Sequence, residues 1–203
     1  MKTIILSAIA ATILWTGCTT DHVTQKSQYV LDQTSVAEWK GSMPGTFNIG
    51  SFDVESEDLQ AENGRINSGT FIIPIASIKN FNLPDDLKPQ LLGHLQSADF
   101  FNVVLFPEAT FKITGIAPYA GTDTAAVVGA NYLVTGDFTM IGKTNTINFP
   151  AKIDVSNDKL LTEAKFKINR TLWGMNYATD PKAEGHYIYS DVDIHLKISG
   201  TKK

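Results

Sequence analysis

Cysteine is almost missing from this chain of 203 residues: Cys18 is the only one. A lone thiol excludes an internal disulfide and any metal site built from several cysteines. Positive charge is not in excess either. The 17 Lys and Arg stand against 21 Asp and Glu, a net charge of -4, so the electrostatic footprint of a nucleic-acid binder is absent. No apolar run is long enough to cross a bilayer as a helix, the best being Ile4 to Trp15. Histidine is scarce. His22, His94, His186 and His195 lie on unrelated segments, and no H-E-x-x-H spacing occurs, so no metal is expected. A G-x-S-x-G elbow, a phosphate-binding loop and a dinucleotide fingerprint are all missing. The chain is therefore expected to be neither an enzyme nor a holder of a cofactor.

What is present begins with an address. Lys2 supplies a positive n-region, Ile4 to Trp15 an apolar core, and Thr16-Gly17 small residues at a cleavage position, which reads as a signal peptide over 1–17. Cys18 follows directly. Its placement resembles a bacterial lipoprotein box, in which the cysteine becomes the first mature residue and is acylated, although Trp15 stands where that pattern prefers Leu. A secreted protein without an anchor is the alternative. Several acyl chains on Cys18 would hold the domain firmly at a membrane surface, so the expected location is the cell envelope, periplasm or outer membrane. The polar "TTDHVTQKSQ" completes a tether over 18–28. One domain is expected over 29–203.

Within that domain the dominant signal has period two, which argues for half-buried strands. In 147–155, Ile147, Phe149, Ala151, Ile153 and Val155 share one face, and Asn148, Lys152 and Asp154 the other. Pro150 interrupts the polar side and is tolerable only near an edge or bulge. The run 188–198 sets Ile188, Val192, Ile194, Leu196 and Ile198 against Tyr189, Asp191, Asp193, His195 and Lys197, and 160–170 sets Leu160, Ala164, Phe166 and Ile168 against Glu163, Lys165 and Lys167. Residues 109–115 and 132–141 alternate too, and 29–40 reads as the first strand. Asn63-Gly64 suits a type I′ turn, so 47–61 and 66–74 are expected to pair. A change of apolar phase across Gly50 predicts a bulge. One segment has helical spacing instead: Leu87, Leu91, His94, Leu95 and Ala98 predict a helix over 84–98, capped by Asp85 or Asp86 and tolerating Pro89 in its first turn.

About eight antiparallel strands and one helix suggest an all-β fold, an eight-stranded barrel with the helix packed at an end. Apolar faces without aromatic girdles, and the polar "SGTKK" at the end of the sequence, place the charged face in water rather than in lipid. The interior reads two ways. Small inward residues (Gly136, Ala151, Ala164, Ser190) would leave volume for one apolar guest; a solid core with no guest, leaving the outer face or loop 117–126 to bind another protein, is the other reading.

Three segments carry a resemblance. "HLQSADFFNVVLFPEATFKIT" at 94–114, "YLVTGDFTMIGKTNTINFPAKI" at 132–153 and "AKFKINRTLWGMNY" at 164–177 resemble, in order, the signatures of the YceI-like family, with "YVLDQTSVAEWKG" and "NGRINSGTFIIPIASI" fitting its N-terminal half. The resemblance implies a lipocalin-like barrel, usually exported, that binds a polyisoprenoid chain, quinone-like or not, for storage or transport. The chain departs from many relatives at Thr34-Ser35, where they carry a histidine-serine pair, so no polar ligand contact is carried over to the first strand. Phe111, Ile113, Phe138, Phe149, Phe166, Ile168 and Val192 are expected to line the slot. Phe100 and Phe101 would plug its mouth, one of them touching ligand, with His94 and Asp99 closing the lid. Trp173 and Tyr177 would cover the end where Arg170 points inward. Arg170 either grips a diphosphate or quinone oxygen as a bidentate donor or pairs with an inward acid or strand-end carbonyls. A homodimer is an assembly that this reading allows.

Overall fold

The computed structural model describes residues 25–203 other than Asn157 and Glu184. Residues 1–17, read as a signal peptide, together with Cys18 and His22, lie outside the described residues. In chain order the strands are β1 (Lys26–Leu31), β2 (Val36–Met43), β3 (Thr46–Asp53), β4 (Gln60–Glu62), β5 (Arg65–Ser68), β6 (Thr70–Pro74) and β7 (Lys79–Asn80); helix α1 (Lys88–Gln96) follows, then β8 (Glu108–Pro118), β9 (Tyr132–Met140), β10 (Lys143–Val155), β11 (Lys159–Asn169) and β12 (Asp191–Lys202).

All strand pairs are antiparallel, and an unbroken path of nine strands runs β5-β4-β1-β12-β11-β10-β9-β8-β6. That is one more than the eight expected. Off this path, β2 pairs with β12 and β3, and β3 with β7; β1 and β2 are separate strands because the stretch read as one strand over 29–40 breaks at a tight turn, where the Ser35 amide donates to the Asp32 carbonyl at 2.9 Å. β1 then pairs with residues 200–202 of β12 and β2 with residues 192–197. The barrel closes through residue 55: Glu55 and Ile72 exchange two backbone hydrogen bonds of 2.9 Å, joining the chain beyond β3 to β6. No row of free backbone groups is left at that seam to recruit another strand.

Period two identified the wall correctly. Phe149, Ala151 and Ile153 are buried, while Asn148, Lys152 and Asp154 face solvent. Pro150 sits where the pairing of β10 with β11 stops, at Ala151↔Ala164, so its missing N–H costs no ladder bond on that side. Lys165 and Lys167 are exposed, and Lys167 reaches Asp193 at 3.4 Å on the outside. Two hairpin turns use paired positive φ. Asn63 and Gly64 have φ of 51° and 73°, and Ile141 and Gly142 have 52° and 69°, as a type I′ connection requires.

Four expectations need correction. The expected tether over 18–28 overlaps β1, because Lys26, Ser27 and Gln28 pair with Glu62, Ala61 and Gln60. The stretch 47–61 is not one arm of a hairpin. β3 pairs with β2, and only β4 pairs with β5 across Asn63-Gly64. Between them the chain crosses the barrel, held by the fully buried Leu59 and by Asp58, whose carboxylate accepts from the Thr70 amide at 2.6 Å and its hydroxyl at 2.9 Å.

The register of β2 with β3 is continuous through Trp39↔Gly50, without a bulge. Phe47 simply points outward, under the Lys40 ammonium at 4.7 Å. Gly50 is required for another reason: a Cβ there would collide with the Lys79 carbonyl of β7 and lie 2.7 Å from Cζ2 of Trp39. The helix is also shorter than expected, and neither aspartate caps it. Leu87 occupies the N-cap with no side-chain bond, and Asp85 instead takes Lys88 at 2.7 Å. Pro89 lies in the first turn, where its missing N–H has no intrahelical partner to lose.

On the outer wall, His195 Nε2 donates to Glu163 at 2.7 Å and its Nδ1 lies 3.2 Å from Glu38, which Lys197 also holds at 2.7 Å. The hydrogen bond from His195 keeps the Glu163 carboxyl below its ordinary value, opposed by desolvation and aided by the charges of His195, Lys165 and Lys197. A carboxyl lowered on folding stabilises the fold above its unfolded pKa, and that contribution disappears as pH falls through the folded value. Glu163→Gln is accordingly expected to be less stable than the parent at neutral pH and indistinguishable from it well below the carboxylate range. With this side chain 47% exposed, the difference in urea denaturation should be about 1 kcal/mol or less. A difference that persists in acid would show that the ion pair is not its source.

Candidate functional site

Inside the barrel is a hollow of about 440 Å³, within the rough 300–1,000 Å³ range of small-molecule sites. Its walls are the inward faces of β2, β3, β6 and β8–β12. The lining is overwhelmingly apolar. Phe111, Ile113, Phe138, Phe149, Phe166, Ile168 and Val192 all contribute, as the alternation predicted. Phe149 and Phe166 stack at 4.2 Å, nearly parallel, and Phe111 leans on Phe149 at 5.6 Å. The volume does not come from the small residues expected to provide it. A Cβ on Gly136 would lie 2.6 Å from Cε2 of Phe111, so that ring already fills the space, and Ala151 and Ala164 face each other with no exposure at all.

The two ends differ. At one, the β4–β5 hairpin brings Leu59 and Ile66 against Tyr29, Val134, Ile153 and Leu160. At the other, α1 and the segment after it form a lid: Leu91, His94, Leu95, Phe100 and Phe101 all face the hollow. Phe101 meets Phe52 edge-on at 5.4 Å, and His94 is held between Phe100 at 5.0 Å and Tyr177 at 4.8 Å. His94 Nε2 lies 3.0 Å from the Asp99 carboxylate. The pair ties the end of α1 to the segment that follows, where the Ser97 hydroxyl donates to the His94 carbonyl at 2.8 Å and accepts from the Asp99 amide at 3.3 Å. Among the described residues, no group of three or more His, Cys, Asp or Glu side chains is placed to hold a metal ion.

Arg170 points inward, 2% exposed. Its guanidinium donates to four backbone carbonyls: Met175 at 2.6 Å, Tyr177 at 2.9 Å, Ile188 at 3.1 Å and Tyr189 at 3.3 Å. Burial lowers its pKa, countered by the Tyr187 hydroxyl. Four of its five N–H groups are thus engaged, and it acts as a clamp joining the two ends of the irregular segment that runs from Met175 to Tyr189.

Trp173 is a correction. It does not line the hollow; it is 1% exposed, its indole N–H donates to the Phe138 carbonyl at 3.0 Å, and it meets the Phe138 ring at 5.2 Å. The short 3-10 turn Arg170–Trp173 carries it behind the wall rather than into it. The Thr34-Ser35 position also lies outside the hollow, since Ser35 Oγ donates to the Ser199 carbonyl at 2.9 Å. Period two missed Trp39, Phe52 and Phe71, all of which line the hollow. The one signal for Trp39 is weak, because it alternates with Ala37 and Gly41 and so has no large companion on its face.

The YceI-like domain matches residues 22–200. The chain belongs to the YceI-like family. Solved structures share this fold at low identity. BcnA of Burkholderia cenocepacia aligns at 19% identity over 83% of this chain and 98% of that one, with a TM-score of 0.65. A polyisoprenoid binding domain from Saccharophagus degradans, implicated in plant cell wall breakdown, aligns at 13% over 86% and 98%, with a TM-score of 0.60. The YCEI protein of Campylobacter jejuni aligns at 17% over 100% and 99%, with a TM-score of 0.50. No curated protein matches the chain. In this YceI-like barrel, then, the lid helix and its Phe100-Phe101 pair stand over an apolar interior. No helix among the described residues is long and apolar enough to cross a membrane.

Proposed function

We propose that this YceI-like protein binds a long isoprenoid-type lipid, polyprenyl or quinone-like, inside its barrel and stores or shuttles it in the cell envelope without acting on it chemically. The observation that carries the reading is the hollow itself: about 440 Å³ lined almost throughout by Val, Ile, Leu, Met and Phe side chains. A branched hydrocarbon chain suits such walls, each buried CH₂ contributing about 0.8 kcal/mol by leaving water. Family membership and the likeness to a domain described as polyisoprenoid binding support the choice of lipid. On this reading the protein is exported and acylated at Cys18, which keeps it beside the membrane from which its ligand comes. The lid admits the chain, and apolar walls hold it by solvent exclusion.

Native mass spectrometry of protein purified from its own envelope, followed by organic extraction, tests this. A prenyl lipid at one per chain is the expected result, accompanied by a mass for the mature chain that begins at an acylated Cys18. Protein that carries no lipid, and takes none up from prenyl-lipid vesicles, would remove the carrier role.

A further inference from the structure

Val104 and Leu105 are 88% and 67% exposed, and Leu172 is 59% exposed. The first two stand at the tip of a tight turn after α1, closed where the carbonyl of Asn102, a residue at φ 49°, accepts from the amides of Leu105 at 3.0 Å and Phe106 at 2.9 Å. Turn tips in water are ordinarily polar, and aliphatic side chains gathered in one exposed place mark an interaction surface. These three are gathered. Phe106 packs over Gly142, where an added Cβ would lie 2.9 Å from its ring, and Lys143 reaches Gly174, where an added Cβ would lie 2.9 Å from its Nζ. Asn145 donates to the Leu172 carbonyl at 3.4 Å. The turn after α1, the β9–β10 turn and the 3-10 turn Arg170–Trp173 therefore lie side by side on one flank of the lidded end. Phe100 and Phe101, on the same segment as Val104, face the hollow, so this flank is the outer surface of the lid.

Charge and chain length say what covers it. Lys143, in the middle of the flank, is exposed and has no carboxylate within ion-pairing distance among the described residues. With Cys18 acylated, seven Cα steps, from 18 to 25, separate the anchor from Gln25, which is bonded to Asn63 at the opposite, hairpin end of the barrel. Seven steps reach at most about 25 Å. β10 has 13 residues; at about 3.3 Å each, and tilted as barrel strands are, it stands roughly 30–35 Å tall. A barrel set lid-down on its own bilayer is thus out of reach, whereas one lying over on a flank is within it. The bilayer is the surface always at hand, and an apolar flank with a free cation suits its boundary of acyl chains and anionic headgroups.

We propose that Val104, Leu105 and Leu172, with Lys143 between them, form a bilayer-docking surface: the barrel lies over on this flank, the three apolar side chains enter the boundary between headgroups and acyl chains, and Lys143 meets an anionic headgroup. The inference goes beyond the carrier reading and takes from it only the anchored Cys18. Docked in this way, the lid has its outer surface in lipid and its Phe100-Phe101 pair directly behind that surface. The opposite side of the same end, at the β2–β3 turn, stays in water.

The test places the acylated mature chain in mixed phosphatidylcholine–phosphatidylglycerol vesicles. With Cys18 acylated, Val104→Cys and Thr46→Cys each supply the single free thiol of the chain, and both positions are exposed, Thr46 in the β2–β3 turn. A fluorophore at Val104→Cys should be quenched by a quencher buried in the bilayer, and one at Thr46→Cys should not. In a second measurement the mature chain carrying Cys18→Ser, which has no anchor, should bind the same vesicles; Leu105→Asp should weaken that binding by about tenfold or more. Lys143→Gln should weaken it roughly fivefold, an effect absent on phosphatidylcholine alone. Thermal unfolding of both variants should match the parent, since the side chains removed are exposed. Quenching at neither position or at both alike, equal vesicle binding by parent and Leu105→Asp, or a dimer in solution that Leu105→Asp dissolves would each overturn the proposal, the last by giving the flank to a second copy of the chain. Prenyl-lipid uptake is read on the same samples, and a parent that docks but takes up none overturns the carrier reading while the docking surface stands.

Discussion

Arg170→Met is expected to destabilise the ligand-free protein by about 3–5 kcal/mol, the usual cost of leaving buried partners of a charged group unpaired. The guanidinium is the common donor for the carbonyls of Met175 and Tyr177 on one side and Ile188 and Tyr189 on the other. Methionine matches much of its volume but donates nothing. Other backbone bonds among the described residues of this segment include Ile188 to Ala178 at 2.8 Å, Tyr189 to Ser42 at 2.9 Å and Met175 to Arg170 at 3.4 Å, with Arg170 to Ser190 at 2.9 Å beside it, and those from Ala183 to Asp180 and His186 to Ala183 close local turns. Arg170→Lys should recover only part of the loss, since an ammonium cannot reproduce the planar fork that spans four acceptors. Urea denaturation of the three proteins at one pH measures it, and a loss below about 1 kcal/mol for Met would mean that water replaces the clamp without cost.

The phase of Arg170 was readable from residues 166 and 168, because period two continues into the first residue beyond a strand. Its partners were not. They lie in the irregular stretch 175–189, where no periodicity exists to place a carbonyl. The same division runs through the whole fold. Strands with one wet face and one dry face, such as β10 and β11, announce themselves by alternation, and the hairpin at Asn63-Gly64 by the two residues that tolerate positive φ. Sequence could not show that 47–61 breaks into two strands, because the break depends on a distant contact, Asp58 with Thr70. It also attributed the role of Gly50 to a bulge when the cause is β7 passing over it. Of the site, the large apolar side chains on alternating faces were legible. Trp39 was not, since a single aromatic between Ala37 and Gly41 looks the same whether its N–H is paired or free. Its closeness to Arg170 in sequence predicts that Trp173 covers the same end of the slot, whereas the 3-10 turn redirects it behind Phe138.

Filling the hollow separates a carrier from a packed barrel by the sign of a stability change. Ala37 and Thr162 both line the cavity, on β2 and β11, and neither is glycine or part of a turn. In Ala37→Phe/Thr162→Phe each new ring enters space that is empty when no lipid is bound, and burying a phenyl side chain contributes about 1.5–3 kcal/mol before entropy is subtracted. Phenylalanine also suits a strand. The ligand-free variant should therefore be more stable than the ligand-free parent, by about 1 kcal/mol or more after the rotamer cost of two rings. Lipid binding should fall at least about 100-fold, because each ring displaces several methylenes of the tail, each worth about 0.8 kcal/mol. In a barrel already packed to core density the same pair of substitutions would instead overfill it and cost about 1–3 kcal/mol per site. Thermal unfolding of the delipidated proteins reads the sign directly: a rise with loss of prenyl-lipid uptake is the outcome for a carrier, and a fall is the outcome for a barrel with no room for a guest.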